Sequence, residues 1–195
     1  MKTDIVLAGV GGQGILSIAT ILGTAALDEN LYIKQAEVHG MSQRGGDVQS
    51  NLRISSDPIA SDLIPYGGAD LIVSLEPMEA LRYEPYLADN GWMVTNTLPF
   101  KNISNYPSDD ELLKKLESVD NLVAFDMDEV AKKIGSPRSS NMVLLGAASP
   151  FIALSQEQIE KAIEKVFAAK GQKIVDSNIE AFREGLKYVK NQLNN

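Results

Sequence analysis

Apolar and polar positions follow two different rhythms along this chain. Ile5-Val6-Leu7-Ala8 is an unbroken apolar run rich in β-branched residues and closed by Gly9, the pattern of a parallel strand buried on both faces. Beyond glycines at 9, 11, 12 and 14, the residues Ile15, Ile18, Ala19, Leu22 and Ala26 recur at three- and four-residue spacing. That stripe predicts a helix packed on a sheet. Residues 31–36 read as a second strand and complete a βαβ unit, for which a right-handed crossover is expected. The period then falls to two: Val48, Ser50, Leu52 and Ile54 point one way, and Gln49, Asn51 and Arg53 the other, as in a half-exposed strand. Ser56-Asp57-Pro58 is turn chemistry, and Ile59-Ala60-Ser61 is expected to return as a short strand, giving an antiparallel hairpin inserted into a parallel sheet.

The α/β rhythm resumes at residues 70–75, a buried strand followed by Glu76-Pro77 and a short helix through Leu81. Asp89-Asn90-Gly91 reads as a turn leading into a strand over residues 92–95, and residues 96–107 as the longest irregular segment. Ser108-Asp109-Asp110-Glu111 has capping-box spacing and starts a helix. A last strand is expected over residues 121–125, and Asp126-Met127-Asp128-Glu129 opens another helix in the same way. After Gly135-Ser136-Pro137 the pattern is helical to the end. Residues 142–154 are apolar nearly all round and so buried. Ser155 caps a helix with Ile159, Ala162, Ile163, Val166 and Phe167 inside, and Ile179, Phe182, Leu186, Val189 and Leu193 line the last helix, expected to lie on the protein's own sheet. The fold class is therefore α/β: a three-layer Rossmann-like mixed sheet, mostly parallel with an inserted antiparallel hairpin, and a helical C-terminal portion. Residues 1–195 are expected to form one domain.

Composition changes this picture mainly by exclusion. The 195 residues include no cysteine and one histidine. No disulfide framework, cysteine nucleophile, cysteine-ligated cluster or histidine-rich zinc site can be built from them. Lys+Arg 18 against Asp+Glu 26 gives a net charge of −8, which argues against a nucleic-acid binder working through a basic face. The N-terminus reads as a strand rather than a signal peptide, and no run approaches the ~18 apolar residues of a membrane span. A cytoplasmic protein without membrane attachment is the expectation.

Two stretches carry chemistry. Gly9-Val10-Gly11-Gly12-Gln13-Gly14 satisfies G-x-G-x-x-G between a strand and a helix. Such glycines bring backbone N–H groups to a phosphate at a positive helix N-terminus, or simply let the helix pack closely on the sheet. Glu37 follows Gly14 by 23 positions, near where a ribose-binding acid would stand, so an NAD- or flavin-binding protein is one reading. The second stretch, Glu37-Val38-His39-Gly40-Met41-Ser42-Gln43-Arg44-Gly45-Gly46, sets the only histidine and an arginine among glycines. It is expected at the carboxyl end of the second strand beside the glycine-rich turn, where ligands bind in such sheets. Arg44 would fork onto a carboxylate or phosphate, and His39 would donate to either.

Together the two stretches resemble the gamma-type component of 2-oxoacid:ferredoxin oxidoreductases, and within that group the indolepyruvate type, whose small (beta) subunit matches the chain in length. Residues 70–76 with their Glu-Pro, and residues 141–146, agree as well. The resemblance implies a subunit of an enzyme that oxidatively decarboxylates a 2-oxo acid to an acyl-coenzyme A and reduces ferredoxin. A large partner subunit would carry the thiamine diphosphate and the iron–sulfur clusters, which suits a chain with no cysteine and no thiamine-site GDG…N pattern. This chain alone would bind no cofactor, with coenzyme A as a substrate of the complex and no dinucleotide. It would complete the substrate or coenzyme A side of the site. Gly11, Gly12, Gln13 and Gly14 would supply backbone donors, and His39, Ser42, Arg44 and Gly45 the loop contacts. A purely non-catalytic assembly subunit is the remaining alternative.

Arg138, Ser139 and Asn141 precede the buried helix, either as its cap or as a secondary anion site shared with Arg44. Asp126, Asp128 and Glu129 read as a capped helix start rather than metal ligands. No catalytic residue is assigned.

Overall fold

Nine residues rather than four form the first strand: β1 (Lys2–Val10) is buried from Thr3 to Val10. Its side chains are buried on both faces of the sheet, Ile5 and Leu7 on one and Val6 and Ala8 on the other, as the continuous apolar run requires. The computed structural model describes residues 1–40, 45–101 and 103–193, with His39 described by its backbone alone. The sheet has the order β2-β3-β1-β4-β5-β6, where β2 is Tyr32–His39, β3 Asp47–Ser55, β4 Ala69–Ser74, β5 Leu87–Asn96 and β6 Leu122–Phe125. From β1 through β6 the four strands pair in parallel, while β3 is antiparallel to both β1 and β2.

The expected βαβ unit is correct in direction and wrong in adjacency. β2 runs parallel to β1, but β3 lies between them, pairing Ile5 with Leu52 and Ile33 with Ile54. β3 is accordingly more buried than its period suggests: Ser50 and Asn51 are buried alongside Leu52 and Ile54. The inserted hairpin is β2–β3, and residues 59–61 form no strand. Side chains hold that segment instead. Lys34 Nζ donates to the Ala60 carbonyl (3.1 Å), and Arg53 Nη1 to those of Ser61 (3.1 Å) and Leu63 (3.0 Å). Asp89-Asn90-Gly91 also departs from expectation, lying inside β5. Between Ala69 and Leu71 of β4 the chain advances two residues, while β5 advances from Leu87 to Trp92, so the extra residues bulge outward. Gly91 permits this close approach, since a Cβ there would stand 2.8 Å from the Ala69 carbonyl oxygen.

Helices cover both faces. One side carries α1 (Ile15–Asp28), α4 (Met127–Lys133), α5 (Ser140–Ala148), α6 (Gln156–Phe167) and α7 (Gln172–Leu193). The other carries α2 (Pro77–Arg82), α3 (Asp109–Glu117) and Ile64. Ser108 and Ser155 both form complete capping boxes, and Asp126 accepts from the Glu129 amide (2.8 Å). The C-terminal portion is not continuously helical: α5 ends at Ala148, followed by a short turn containing Pro150, and Gly171 at φ +92° separates the last two helices.

The last helix packs chiefly on another helix and meets the sheet through Tyr188. α7 lies against α5, where a Cβ on Gly146 would come within 1.8 Å of the Phe182 carbonyl oxygen and one on Gly185 within 2.0 Å of that of Val143. Phe182, Leu186 and Val189 are buried in this contact, and Tyr188 stacks on Phe125 at 3.8 Å between centroids, while Leu193 is exposed.

Candidate functional site

β1 feeds α1 on one face of the sheet, and β4 feeds α2 on the other. The two chains part at the carboxyl edge and leave a crevice there, the place where open α/β sheets take ligands. The glycine-rich turn forms one wall. Gly12 (φ +101°) and Gly14 (φ +86°) occupy the left-handed region that residues with a Cβ avoid. Gly14 also has no room for one, because its Cβ would meet Asn141 Nδ2 at 2.7 Å.

The expected donors divide into two groups. Gly11 N donates to the Gly46 carbonyl (2.8 Å) and Gln13 N to that of Val10 (3.1 Å), so these two amides brace the turn. The Gln13 side chain does the same: its Oε1 accepts from Val10 N (2.7 Å) and its Nε2 donates to the Leu75 carbonyl (3.3 Å), tying the turn to the end of β4. Among the described residues, the amides of Gly12 and Gly14 donate to no protein acceptor. Both glycines line a 300 Å³ hollow with Val10, Gly11, Leu16 and Val48 at the positive end of α1.

The described ends of the polar loop lie at the carboxyl end of β2 and beside the glycine turn, as expected. It joins β2 to β3 as a hairpin connection, and the Gly46–Gly11 bond brings its end against the glycine turn. Gly45 has φ +78°. Ser42 and Arg44 lie outside the described residues, as does the His39 side chain. Glu37 does not occupy the ribose-acid position of a dinucleotide fold. With β3 intervening, it pairs with Ser50, which pairs in turn with Leu7, so two strand spacings (about 10 Å) separate it from β1.

The secondary group adjoins the first. Asn141 Nδ2 donates to the Gly14 carbonyl (3.3 Å), and Gln13, Asn141 and Arg138 line one 110 Å³ crevice with Asn96 and Asp128. Ser139 stands at the N-cap of α5 without a side-chain cap bond, contrary to the capping expectation. Its hydroxyl meets that of Ser136 (2.9 Å) instead.

Several residues at this edge have no signal in the sequence strong enough to single them out. Glu76 is fully buried; its carboxylate accepts from Glu79 N (2.8 Å), Phe100 N (3.3 Å) and the Tyr106 hydroxyl. Burial, reinforced by donation to Glu76, pushes the Tyr106 phenol far above the ordinary range. Burial and the charges of Asp47 and Glu79 push the Tyr83 phenol up to about 12. Burial raises Glu79 also, against the Arg82 guanidinium at 2.8 Å. Asp128 accepts from Ser140 Oγ (2.8 Å) and Asn96 Nδ2 (2.7 Å), so its oxygens link α4 to α5 and β5. The Glu-Pro pair marks a helix start, but only the fold shows its carboxylate buried, and nothing local pairs it with a tyrosine 30 residues away.

Among the described residues, no group of three His, Asp or Glu side chains is placed to hold a metal ion. No described helix is long and apolar enough to cross a membrane.

Comparison with known proteins agrees with this arrangement. The indolepyruvate oxidoreductase subunit IorB of Thermococcus kodakarensis is 40% identical, covering 97% of this chain and 97% of its own length. Among solved structures, the keto/oxoacid ferredoxin oxidoreductase gamma subunit from Geobacter sulfurreducens superposes with a TM-score of 0.70 at 24% identity, over 97% of this chain and 99% of that one. A 2-oxoglutarate:ferredoxin oxidoreductase from Magnetococcus marinus, with 2-oxoglutarate, coenzyme A and succinyl-CoA bound, gives 0.77 at 23% identity, over 97% of this chain and 31% of that one. At those identities the structures establish a shared fold. The sequence profile of pyruvate ferredoxin/flavodoxin oxidoreductases matches residues 4–188, nearly the whole sheet and its helices, and the chain belongs to that family.

Proposed function

We propose that residues 1–195 form a single gamma-type domain, the small subunit of an indolepyruvate-type 2-oxoacid:ferredoxin oxidoreductase acting in the cytoplasm. The complex would convert a 2-oxo acid, coenzyme A and two oxidised ferredoxins to acyl-coenzyme A, carbon dioxide, a proton and two reduced ferredoxins. The observation that carries this reading is the 40% identity to a subunit named for indolepyruvate, running end to end in both chains.

The cofactors of such an enzyme do not fit this chain. It has no cysteine to offer a cluster and no GDG…N pattern for thiamine diphosphate, so both the iron–sulfur centres and the thiamine diphosphate are assigned to a large partner subunit. Thiamine diphosphate there would supply the decarboxylation chemistry. This chain's own contribution is to bind and orient. The Gly12 and Gly14 amides at the α1 N-terminus, with His39, Ser42, Arg44 and Gly45 on the neighbouring loop, would hold the carboxylate or phosphate of a substrate. Coenzyme A is the phosphate-bearing candidate. Gln13 and Gly11 would act by bracing that wall.

The test is co-expression with the large subunit, followed by viologen reduction with several 2-oxo acids and coenzyme A. Indolepyruvate should give the highest kcat/KM, and neither chain alone should turn over. Higher kcat/KM for pyruvate or 2-oxoglutarate would overturn the substrate assignment. If Arg44→Ala left both KM values and kcat unchanged in an intact complex, the loop assignment would be wrong and the assembly reading would stand.

A further inference from the structure

On the far side of Asn141 from the glycine turn, the 135–139 segment and the junction of α6 with α7 border a second hollow, of 460 Å³. We propose that this hollow is a binding site for a phosphate group, held by Arg138 and Lys170 with the hydroxyls of Ser17, Ser136 and Ser177. In a chain carrying 26 acidic residues against 18 basic ones, its lining contains two cations and no carboxylate. Both cations are exposed, and neither has a carboxylate partner among the described residues. Most other arginines behave differently: Arg53, Arg82 and Arg183 are each paired with a carboxylate at 2.7–2.8 Å. The Lys170 ammonium lies 5.1 Å from the centroid of the Phe167 ring, which also lines the hollow.

The hydroxyls add to the same polarity. Ser139, Ser136 and Ser177 form a row, linked Ser139 to Ser136 at 2.9 Å and Ser136 to Ser177 by a shorter contact. Three hydroxyls carry three protons, and two links use two of them. One O–H therefore remains to donate outside the row, beside two cations. Two cations beside a hydroxyl donor, in a lining without a carboxylate, suit a multiply charged oxyanion, and the arginine fork fits two phosphate oxygens at once. The volume exceeds that of a phosphate, and exposed Ile174 with Phe167 offers apolar surface to an organic remainder. Arg138 and Asn141 line both this hollow and the crevice beside Gln13, so the two sites adjoin. The inference does not rest on the coenzyme reading.

The full chain, titrated with inorganic phosphate, pyrophosphate and coenzyme A at constant ionic strength, provides the test by amide chemical shifts and calorimetry. Saturable shifts are expected at Ser17, Ser136, Lys170 and Ser177. Arg138→Ala and Lys170→Ala should each weaken the Kd about tenfold, and Arg138→Lys less. Unchanged Tm values would show that these exposed positions leave the fold intact. Coenzyme A binding much tighter than phosphate identifies an organic phosphate as the natural source; equal affinities identify the free anion. No saturable shift in the millimolar range, shifts confined to Gly11–Gly14, or a Kd indifferent to both substitutions would overturn the proposal. Any of these would leave the turnover test of the oxidoreductase reading untouched.

Discussion

The hydroxyl of Tyr106 donates to Oε1 of Glu76, a carboxylate with no exposed surface at the end of β4. The same oxygen accepts from Phe100 N at 3.3 Å, so one buried charge anchors the long connection after β5 at two points. Removing the phenol oxygen withdraws one donor from a buried anion. Tyr106→Phe should destabilise the chain by about 1–2 kcal/mol and speed hydrogen exchange at Phe100. Exchange and stability both unchanged would show that the tyrosine is not needed to hold the segment.

The α5–α7 contact tolerates no side chain at two positions. Ala at Gly146 or Gly185 sets a methyl against backbone carbonyls that cannot rotate aside. Each substitution should cost more than about 3 kcal/mol, above the usual range for overpacking, read from urea denaturation. A loss under about 1 kcal/mol would mean that the helices separate easily.

Asp4 is buried on β1 and held by a two-pronged Arg53 contact, Nε to Oδ1 and Nη2 to Oδ2, both 2.8 Å. Burial alone would raise its carboxyl, but the hydrogen bonds from Arg53 and Lys2 prevail and hold it below the ordinary 3.8. Its charged form is therefore favoured by folding. That stabilisation is complete above pH ~4 and is lost as pH falls through the lower folded value. Arg53→Met should cost about 3 kcal/mol, the low end for a broken buried pair because Lys2 remains. Asp4→Asn with Arg53→Met should recover most of that loss and flatten the acid limb of the stability profile. An acid limb identical to that of the unaltered chain would exclude Asp4 as its source.

Gln13 closes the glycine turn on itself and on β4. In Gln13→Ala the Val10 N–H loses its acceptor, which should cost about 1–3 kcal/mol and accelerate exchange at Val10. Gln13→Glu retains that acceptor and loses the bond to Leu75, so Val10 should stay protected. Val10 as well protected in Gln13→Ala as in the unaltered chain would assign the bracing to the backbone alone.

Much of the fold was legible because burial on two faces leaves a mark in the sequence. The apolar runs at 5–8 and 71–73 emerged as interior strands, and Ser108 and Ser155 as capping boxes, since each depends on contacts within a few residues. Strand adjacency was not legible. Residues 47–55 alternate as an edge or half-exposed strand would, and nothing local says that they pass between β1 and β2. The candidate site divides similarly. Gly12 and Gly14 need left-handed backbone, which the residue type reveals, whereas Gln13 looks like a ligand contact until its amide is seen spanning Val10 and Leu75.

The sequence by itself determined most of the element types, the glycine turn at the head of α1 and the absence of any thiolate ligand, because propensity, period and composition are local properties. Tertiary structure decided what those elements meet. It placed β3 beside β1, separated Glu37 from the glycine turn, buried Glu76 under Tyr106, and brought Arg138 and Lys170 to one hollow. Each of these joins residues far apart in the chain. Such contacts are selected by the packing of whole faces, and no short stretch of sequence encodes them.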